Sequence, residues 1–456
     1  MKKVDYQKYF KDKKITVMGI GLLGRNVGDI KFLAENGADI IATDLKSETE
    51  LKKSLRILKK FKNIDYTLDR HLVADFKNRD FILKGNGVPL ENKYIDTAKN
   101  AKVPVHMSFA LLMHILKTEN INVTVIGITG SKGKSTTTAL VESILKKSGK
   151  TYHVAGNVRG VANLPLLKKI KDGDIILAEL DSWQLHGMHD VKISPNIAVF
   201  TNFFEDHLNY YTGSMKKYFH DKSAIFAYQN PDDVLITTNE AKLAIADYYK
   251  KPLRSKKIQA VFGKTLRDLD YNIFGRHNEK NISLAYNVGH VLGIDDATIF
   301  SALTEFQAID GRFQFIKNVN GVDFYNDNNS TTPDSTIVSL QSLQKKYPEN
   351  NIVLIGGGTD KDFNYGKLGR YIARNISFAI LFSGSATDKI KSEFGPRFGR
   401  VIETMHMKTA VNIAAEKAEP GDVVILSPAA VSFGLFNNEY ERNDQYVSCV
   451  KKIKQN

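Results

Sequence analysis

The chain has 456 residues, 42% hydrophobic and 25% charged, with 64 Lys and Arg against 50 Asp and Glu for a net charge of +14. Such a composition is that of ordinary globular domains, and the length sets a prior of about three of them. A single cysteine, Cys449, excludes an intrachain disulfide, and no stretch carries the apolar run of a signal peptide or membrane span, so a cytoplasmic protein without membrane insertion is expected.

In chain order, residues 15–19 read as a strand, followed by GIGLLG at 19–24, an apolar-periodic helix through Leu33 and a stop at Gly37. A second strand over 39–43 ends at Asp44, twenty residues beyond Gly24. This is the layout of a dinucleotide-type βαβ unit, in which glycines let the backbone approach a ligand and the acid meets a ribose or base. Gly21 and Asp44 are therefore candidate ligand contacts, joined by Asn86 and Gly87 in FILKGNGV, a further strand running into a glycine turn. Lysine pairs at 52–53, 59–60, 168–169 and 216–217 lie on helix-patterned segments without interleaved aromatics. They read as solvated faces, so no nucleic-acid partner is expected, while small polyanionic substrates would benefit from the field.

Residues 127–138, GITGSKGKSTTT, follow an apolar run and precede the helix-patterned ALVESILKK. The stretch misses the G-x-x-x-x-G-K-[ST] pattern, because Ile128 holds the first glycine's place and the glycines fall at 127 and 130. The physical parts are nevertheless there: a strand, a glycine turn whose amides can face an anion, and a helix starting near Lys134. Lys134 is suited to the β/γ-phosphates and the Ser135 hydroxyl to Mg²⁺. A turn that merely caps a helix explains the glycines but not Lys-Ser at the helix start. The candidate nucleotide contacts are Gly130, Ser131, Lys132, Gly133, Lys134, Ser135 and Thr136.

DGDIILAELDSW predicts a strand over 174–180 with Glu179 near its end, placed as a Mg²⁺ ligand or, alternatively, as a salt-bridged edge residue; Asp181 follows it. The next strand, over 197–202, exits into Asn202, Glu205, Asp206 and His207, and His207 among acids at a strand exit is a candidate metal or phosphate contact. A helix is predicted over 215–228. Lys222 stands on its apolar stripe with Met215, Tyr218, Phe219, Ile225 and Phe226, where a lysine must be paired, snorkelled or chemically altered. Snorkelling is the default from pattern; a buried, neutral amine could instead react with CO₂ to give an anionic carbamate. Beyond a turn at Gly311, residues 322–326, 352–358, 378–383 and 423–427 read as strands separated by helices. The fold class is α/β with parallel sheets covered on both faces, in three domains: 1–108 (Rossmann-like), 109–310 (a central ATPase-like domain) and 311–456 (Rossmann-like).

The sequence resembles the Mur ligases, ATP-dependent amide-forming enzymes of peptidoglycan precursor synthesis, whose phosphate loop reads T-G-x-x-G-K-[ST]. The likeness runs through ELDSWQL (179–185), TNFFEDHL (201–208), Lys222, GRHNEKN (275–281), GRF (311–313), YNDNNSTTPDST (325–336), GGGTDKDF (356–363) and LSPAAVSFGLF (426–436). The N-terminal glycine fingerprint and the length are most similar to the D-glutamate-adding branch. The resemblance implies a first domain for a UDP-muramoyl nucleotide, a second for ATP and a third for the incoming amino acid, working with two Mg²⁺ ions, in a monomer. Lys134, Ser135 and Glu179 would handle phosphates and the first ion, and His207 with a carbamylated Lys222 the second. Asn278 and Asn281 match adenine contacts, and Arg312 and Asp327 match residues that close over ATP, or form an interdomain salt bridge. Asn157 matches a substrate contact, Asp181 and Gln184 fall in the same substrate-side region, and Thr331, Lys361 and Ser432 match the pocket for the amino acid's carboxylates. Three departures concern that pocket or its neighbourhood: Asn329 where the family has lysine, Asp181 at a serine position, and Glu439, beside Tyr440, in place of an aromatic. Rival readings are another Mur-type or folylpolyglutamate-type ligase, an NAD-dependent dehydrogenase, which leaves the phosphate loop unexplained, or a non-catalytic nucleotide-binding regulator.

Overall fold

The structure, a computed structural model, describes residues 4–22, 24–89, 91–206, 210–273, 275–395, 399–432 and 434–454. The chain forms two compact units, Met1–Leu269 with Lys280–Leu303, and Asp270–Glu279 with Thr304–Asn456. Among the described residues no helix is long and apolar enough to cross a membrane.

The first unit holds two parallel sheets. One comprises β1 (Lys14–Met18), β2 (Asp39–Thr43), β3 (Ile64–Thr67), β4 (Phe81–Lys84) and β5 (Val105–His106) in the order β3-β2-β1-β4-β5. Ile15, Thr16 and Val17 of β1 are all buried, as a central parallel strand covered on both faces requires. The helix Arg25–Glu35 returns over this sheet, and Gly37 closes it at φ +84°, a left-handed conformation that favours glycine. On that helix Asp29 is buried and accepts the Leu164 N–H at 2.8 Å.

Burial raises the Asp29 carboxyl to about 7, against the opposing hydrogen bond from Leu164. The folded protein thus keeps a proton that the unfolded chain releases near 3.8. Stability is expected to fall as pH rises from about 4 to about 7 and to level off above, at roughly 1.4 kcal/mol per unit of displacement. Asp29→Asn, which retains an acceptor for Leu164, should abolish that fall. Urea denaturation of both proteins across the range checks this; parallel pH curves would show that Asp29 does not hold the proton.

The second sheet comprises β6 (Thr124–Thr129), β7 (Tyr152–Gly156), β8 (Ile175–Glu179), β9 (Ile197–Phe200), β10 (Val234–Thr237) and β11 (Lys256–Gln259), ordered β11-β10-β9-β6-β8-β7. Because β6 lies between β9 and β8, the carboxyl ends of those strands converge on the loop after Thr129. The helix predicted over 215–228 is shorter, Met215–Ser223. Past it the chain tightens into three-residue turns, Ala224 N–H to Asp221 O and Ile225 N–H to Lys222 O, which end the helix.

The second unit holds β12 (Gln314–Val319), β13 (Val322–Asn326), β14 (Ile352–Gly357), β15 (Phe378–Phe382), β16 (Val401–Thr404) and β17 (Val423–Leu426), ordered β12-β13-β17-β14-β15-β16. The expected all-parallel arrangement fails at one edge, where β12 and β13 form an antiparallel hairpin. Its turn is Asn320-Gly321, both with positive φ, the two-residue geometry that matches strand twist.

Candidate functional site

The loop after β6 is shaped by contacts that only glycine permits. A Cβ on Gly130, whose φ is +147°, would lie 1.9 Å from Thr201 Oγ1, and one on Gly133, at φ +84°, 2.5 Å from Asn281 Oδ1. Asn281 also accepts the Thr137 hydroxyl at 3.2 Å, so it sits directly on the loop. The exit of β9 pins the other side: Asn202 O accepts Ser131 N–H at 3.0 Å, Asn202 Oδ1 accepts Lys132 N–H at 2.8 Å, and Thr201 Oγ1 donates to Lys132 O. Ser131 is buried and exchanges hydrogen bonds with the Phe204 backbone. The amides of Ser131 and Lys132 are thus engaged by Asn202, and the helix that follows begins at Lys134, where the helix dipole favours negative charge.

Three side chains converge on this loop. Lys134 Nζ donates to Gly130 O at 2.9 Å and Ser131 O at 3.1 Å. The Ser135 hydroxyl donates to Glu179 Oε1 at 2.9 Å, with Glu179 buried at the end of β8. Lys222 is 1% exposed, so it does not snorkel. Its Nζ donates to Gly130 O at 2.9 Å and Thr129 Oγ1 at 3.3 Å and lies 4.9 Å from the Tyr218 ring centroid. Burial, then the charge of Lys134, holds the Lys222 amine well below the ordinary lysine range, with Asp181, Asp206 and Asp221 pulling the other way. Asp206 faces Lys132 across 3.5 Å; His207 lies outside the described residues.

Asp181 caps the helix Ser182–Val191 by accepting Gln184 N–H at 2.8 Å, while its buried Oδ2 has no partner among the described residues, and neither has Gln184 Oε1. Buried acceptors left this way call for a ligand or water. Asn157 follows β7, with its N–H on Glu179 O at 2.7 Å and its side-chain oxygen accepting Arg25 Nη1 from the first sheet's helix. Asp44 accepts the amides of Ile20 at 2.8 Å and Gly21 at 3.0 Å, so its carboxylate is engaged inside the glycine loop. Asn86 is half-buried and Gly87 exposed in the turn after β4. Lys84, just before that turn, is buried and donates to Gly85 O and Val88 O; burial lowers it to about 8, opposed by Asp181 and Asp221. Arg25 and Lys84 escaped the sequence reading, although a lysine closing the apolar strand FILK was a signal.

In the second unit Asp327, at the end of β13, accepts Phe313 N–H at 3.2 Å and the hydroxyls of Ser339 at 2.6 Å and Ser427 at 3.1 Å. Burial raises its carboxyl to about 6, with hydrogen bonds from Ser330, Ser339 and Ser427 opposing. Arg312 is half-buried beside Phe313, and Asn278 is buried at the start of the helix Arg276–Val291. Thr331, exposed Lys361 and buried Ser432 follow β13, β14 and β17, three adjacent strands, and a bridge between Thr359 and Val431 draws the last two loops together. Arg442, 1% exposed, braces this end: it donates to Asn328 Oδ1 at 2.7 Å, Asn328 O at 3.0 Å and Ala430 O at 3.1 Å. Nothing in the polar helix Glu439–Lys452 announced that burial.

The first unit therefore offers a hydroxyl and a carboxylate, Ser135 and Glu179, at a helix start whose dipole favours anions. Mg²⁺ commonly takes one or two protein oxygens and completes its octahedron with phosphate and water, so these residues fit one such ion. No cluster of three or more His, Cys, Asp or Glu is poised to hold a metal among the described residues. Lys222 as an amine is a donor, not an oxygen ligand.

Residues 128–265 match the Mur ligase middle domain, and residues 311–430 the Mur ligase glutamate ligase domain. The chain is 35% identical to the UDP-N-acetylmuramoylalanine–D-glutamate ligase of Borreliella burgdorferi, over 97% of this chain and 98% of that protein. It is 32% identical to the protein of the same name from Acetivibrio thermocellus, over 98% of each. Among solved structures it is similar to UDP-N-acetylmuramate-alanine ligase from Thermotoga maritima, at 20% identity and a TM-score of 0.61 over 97% of this chain and all of that one. It is also similar to MurF ligase of the same organism in complex with ADP, at 18% identity and a TM-score of 0.59 over 98% and 96%. These last two likenesses bear on the fold alone.

Proposed function

Since the chain belongs to the Mur ligase family, we propose that it joins D-glutamate to UDP-N-acetylmuramoyl-L-alanine, converting ATP to ADP and phosphate. The observation that carries this reading is near-full-length identity of 35% and 32% to relatives bearing that name. The phosphate loop supports it chemically. In the proposed reaction a carboxylate oxygen of the nucleotide substrate attacks the γ-phosphorus and ADP leaves, giving an acyl phosphate. The amine of the amino acid then attacks the acyl carbon, phosphate departs and the amine proton is lost.

Two anions must meet in the first step, so cations have to hold them. Lys134 is assigned to the transferring phosphoryl group, which it would meet by leaving the loop carbonyls. Ser135 and Glu179 would hold Mg²⁺, which when bound offsets phosphate charge and fixes its geometry. Gly133 to Thr136 would cradle phosphate through their amides, and Asn281 with Asn278 would meet the adenine. On the substrate side Asn157, Asp181 and Gln184 are assigned to the muramoyl end, and Gly21, Asp44, Asn86 and Gly87 to the UDP end. We assign a second ion to His207 and a carbamylated Lys222, and Arg312 and Asp327 to closure over ATP.

For the amino acid, Lys361, Ser432 and Thr331 are assigned to the carboxylates of D-glutamate. Asn329, which donates its N–H to Gly311 O, offers only a neutral amide where relatives of this type have a lysine. A neutral bond in place of a charge-assisted one costs on the order of 1 kcal/mol, about a fivefold to tenfold loss in affinity. Asn329→Lys is therefore expected to lower KM for D-glutamate by that factor with kcat little changed, as restored uniform binding does. Phosphate release measured with UDP-N-acetylmuramoyl-L-alanine and a panel of D- and L-amino acids tests both points. A neutral or basic amino acid exceeding D-glutamate in kcat/KM would overturn the substrate assignment and leave the ligase chemistry standing.

A further inference from the structure

A cavity of about 990 Å³ opens at the end of the second sheet opposite the phosphate loop, by the amino ends of β6 and β9. The loop follows β6 and β9, whereas the cavity is lined by Asn122 and Val123, which precede β6, and by Asn196, which precedes β9. We propose that this cavity is a second ligand site, for a ring-bearing organic phosphate of the nucleoside monophosphate class, separate from the ligase centre and independent of that assignment.

Charge is the first ground. The lining carries Lys117, Lys192, Lys216, Lys250, Lys251 and Arg254 against one carboxylate, Asp233, in a chain where cations and anions stand at 64 to 50. None of the six is in an ion pair among the described residues; neighbouring Lys217 and Lys256 are the ones that pair, with Glu91 and Asp232, and Lys250 reaches only the Ala246 carbonyl at 2.8 Å. Asp233 is turned to local amides, accepting Asn196 Nδ2 at 3.1 Å and Asn230 N–H at 2.7 Å. A concave surface lined by one sign of charge concentrates counter-ions of the other sign.

The second ground is what lies between the cations. Buried Leu116 and Phe226 contribute apolar surface, and Tyr228 and Tyr249 contribute rings. His189 adds a fixed aromatic face: its Nδ1 meets Tyr228 OH at 2.8 Å and its Nε2 meets His220 O at 2.7 Å. Gln229, only 2% exposed, braces the floor of the cavity by donating through Nε2 to Pro195 O and Val234 O at 3.0 Å. Apolar and aromatic surface between the cations suits a ring-bearing organic phosphate better than inorganic phosphate, which has no ring to lay against it. The volume lies at the upper end of that of small-molecule pockets, about 300–1,000 Å³.

Titration calorimetry with AMP, on the wild type, Lys134→Ala and the double variant Lys216→Glu/Arg254→Glu, tests the assignment. Saturable binding is expected in the wild type and in Lys134→Ala, and should be weaker by about tenfold or more in the double variant, since two cations are reversed. Inorganic phosphate should bind more weakly than AMP. Melting curves report whether the double variant folds; if it does not, Lys250→Ala/Lys251→Ala carries the same expectation. AMP binding that disappears in Lys134→Ala and survives in the cavity variants would place the nucleotide in the phosphate loop and overturn the proposal. So would the absence of saturable binding in the wild type, or equal affinity for AMP and inorganic phosphate.

Discussion

Lys134→Ala is expected to lower phosphate release by about three orders of magnitude or more, equivalent to about 4 kcal/mol of transition-state stabilisation. Lys134 bridges the carbonyls of Gly130 and Ser131, so its ammonium already stands inside the turn that would receive the phosphates. During transfer, charge spreads over the phosphoryl oxygens, and a cation held by the loop stabilises that state more than the ground state. The fold should survive, because the turn keeps its anchors on Thr201 and Asn202. Circular dichroism and a melting curve beside the assay separate the two effects. Near wild-type release from a folded variant would remove Lys134 from the chemistry.

Legibility in the sequence followed the strength of local patterning. The β1–helix–β2 unit was readable because apolar periodicity, the left-handed Gly37 and Asp44 agree within 31 residues of chain. Edge strands were not: β5 has two residues, and β11, KKIQ, is largely exposed, so neither carries a core-facing alternation. The β12–β13 hairpin did carry its signal, Asn320-Gly321 between two valines, and was missed because the surrounding strands all run parallel. For the site, the phosphate loop was legible as a contiguous motif. Asn202, Asn281 and Lys222 were each marked in the sequence, but that they meet on this loop was not, since strand order and helix packing bring them there from far along the chain. Asp44, marked by its spacing from the glycines, and Asp327, marked by the family resemblance, also carry local bonds that no pattern announced, to backbone amides and hydroxyls.

Lys222→Ala is expected to be nearly inactive, and the decisive question is whether the lost group is a cation or an anion. As an amine, Lys222 donates to Gly130 O and Thr129 Oγ1 within about one side-chain length of Lys134, which duplicates positive charge on one carbonyl. Burial and Lys134 both disfavour its ammonium form. A neutral amine in that position adds CO₂ with release of a proton, and the carbamate formed would present two oxygens beside the loop, as a cation-binding group must. On our carbamate assignment Lys222→Arg is as inactive as Lys222→Ala, because arginine cannot form the adduct, whereas short-chain carboxylic acids partly restore Lys222→Ala by placing a carboxylate in the vacated space. Wild-type activity should also fall in CO₂-depleted buffer and return with bicarbonate. If the ammonium is what matters, Lys222→Arg keeps activity and carboxylic acids do nothing for Lys222→Ala. That second pattern would sink the carbamate and leave Lys222 as a second clamp on the phosphate loop.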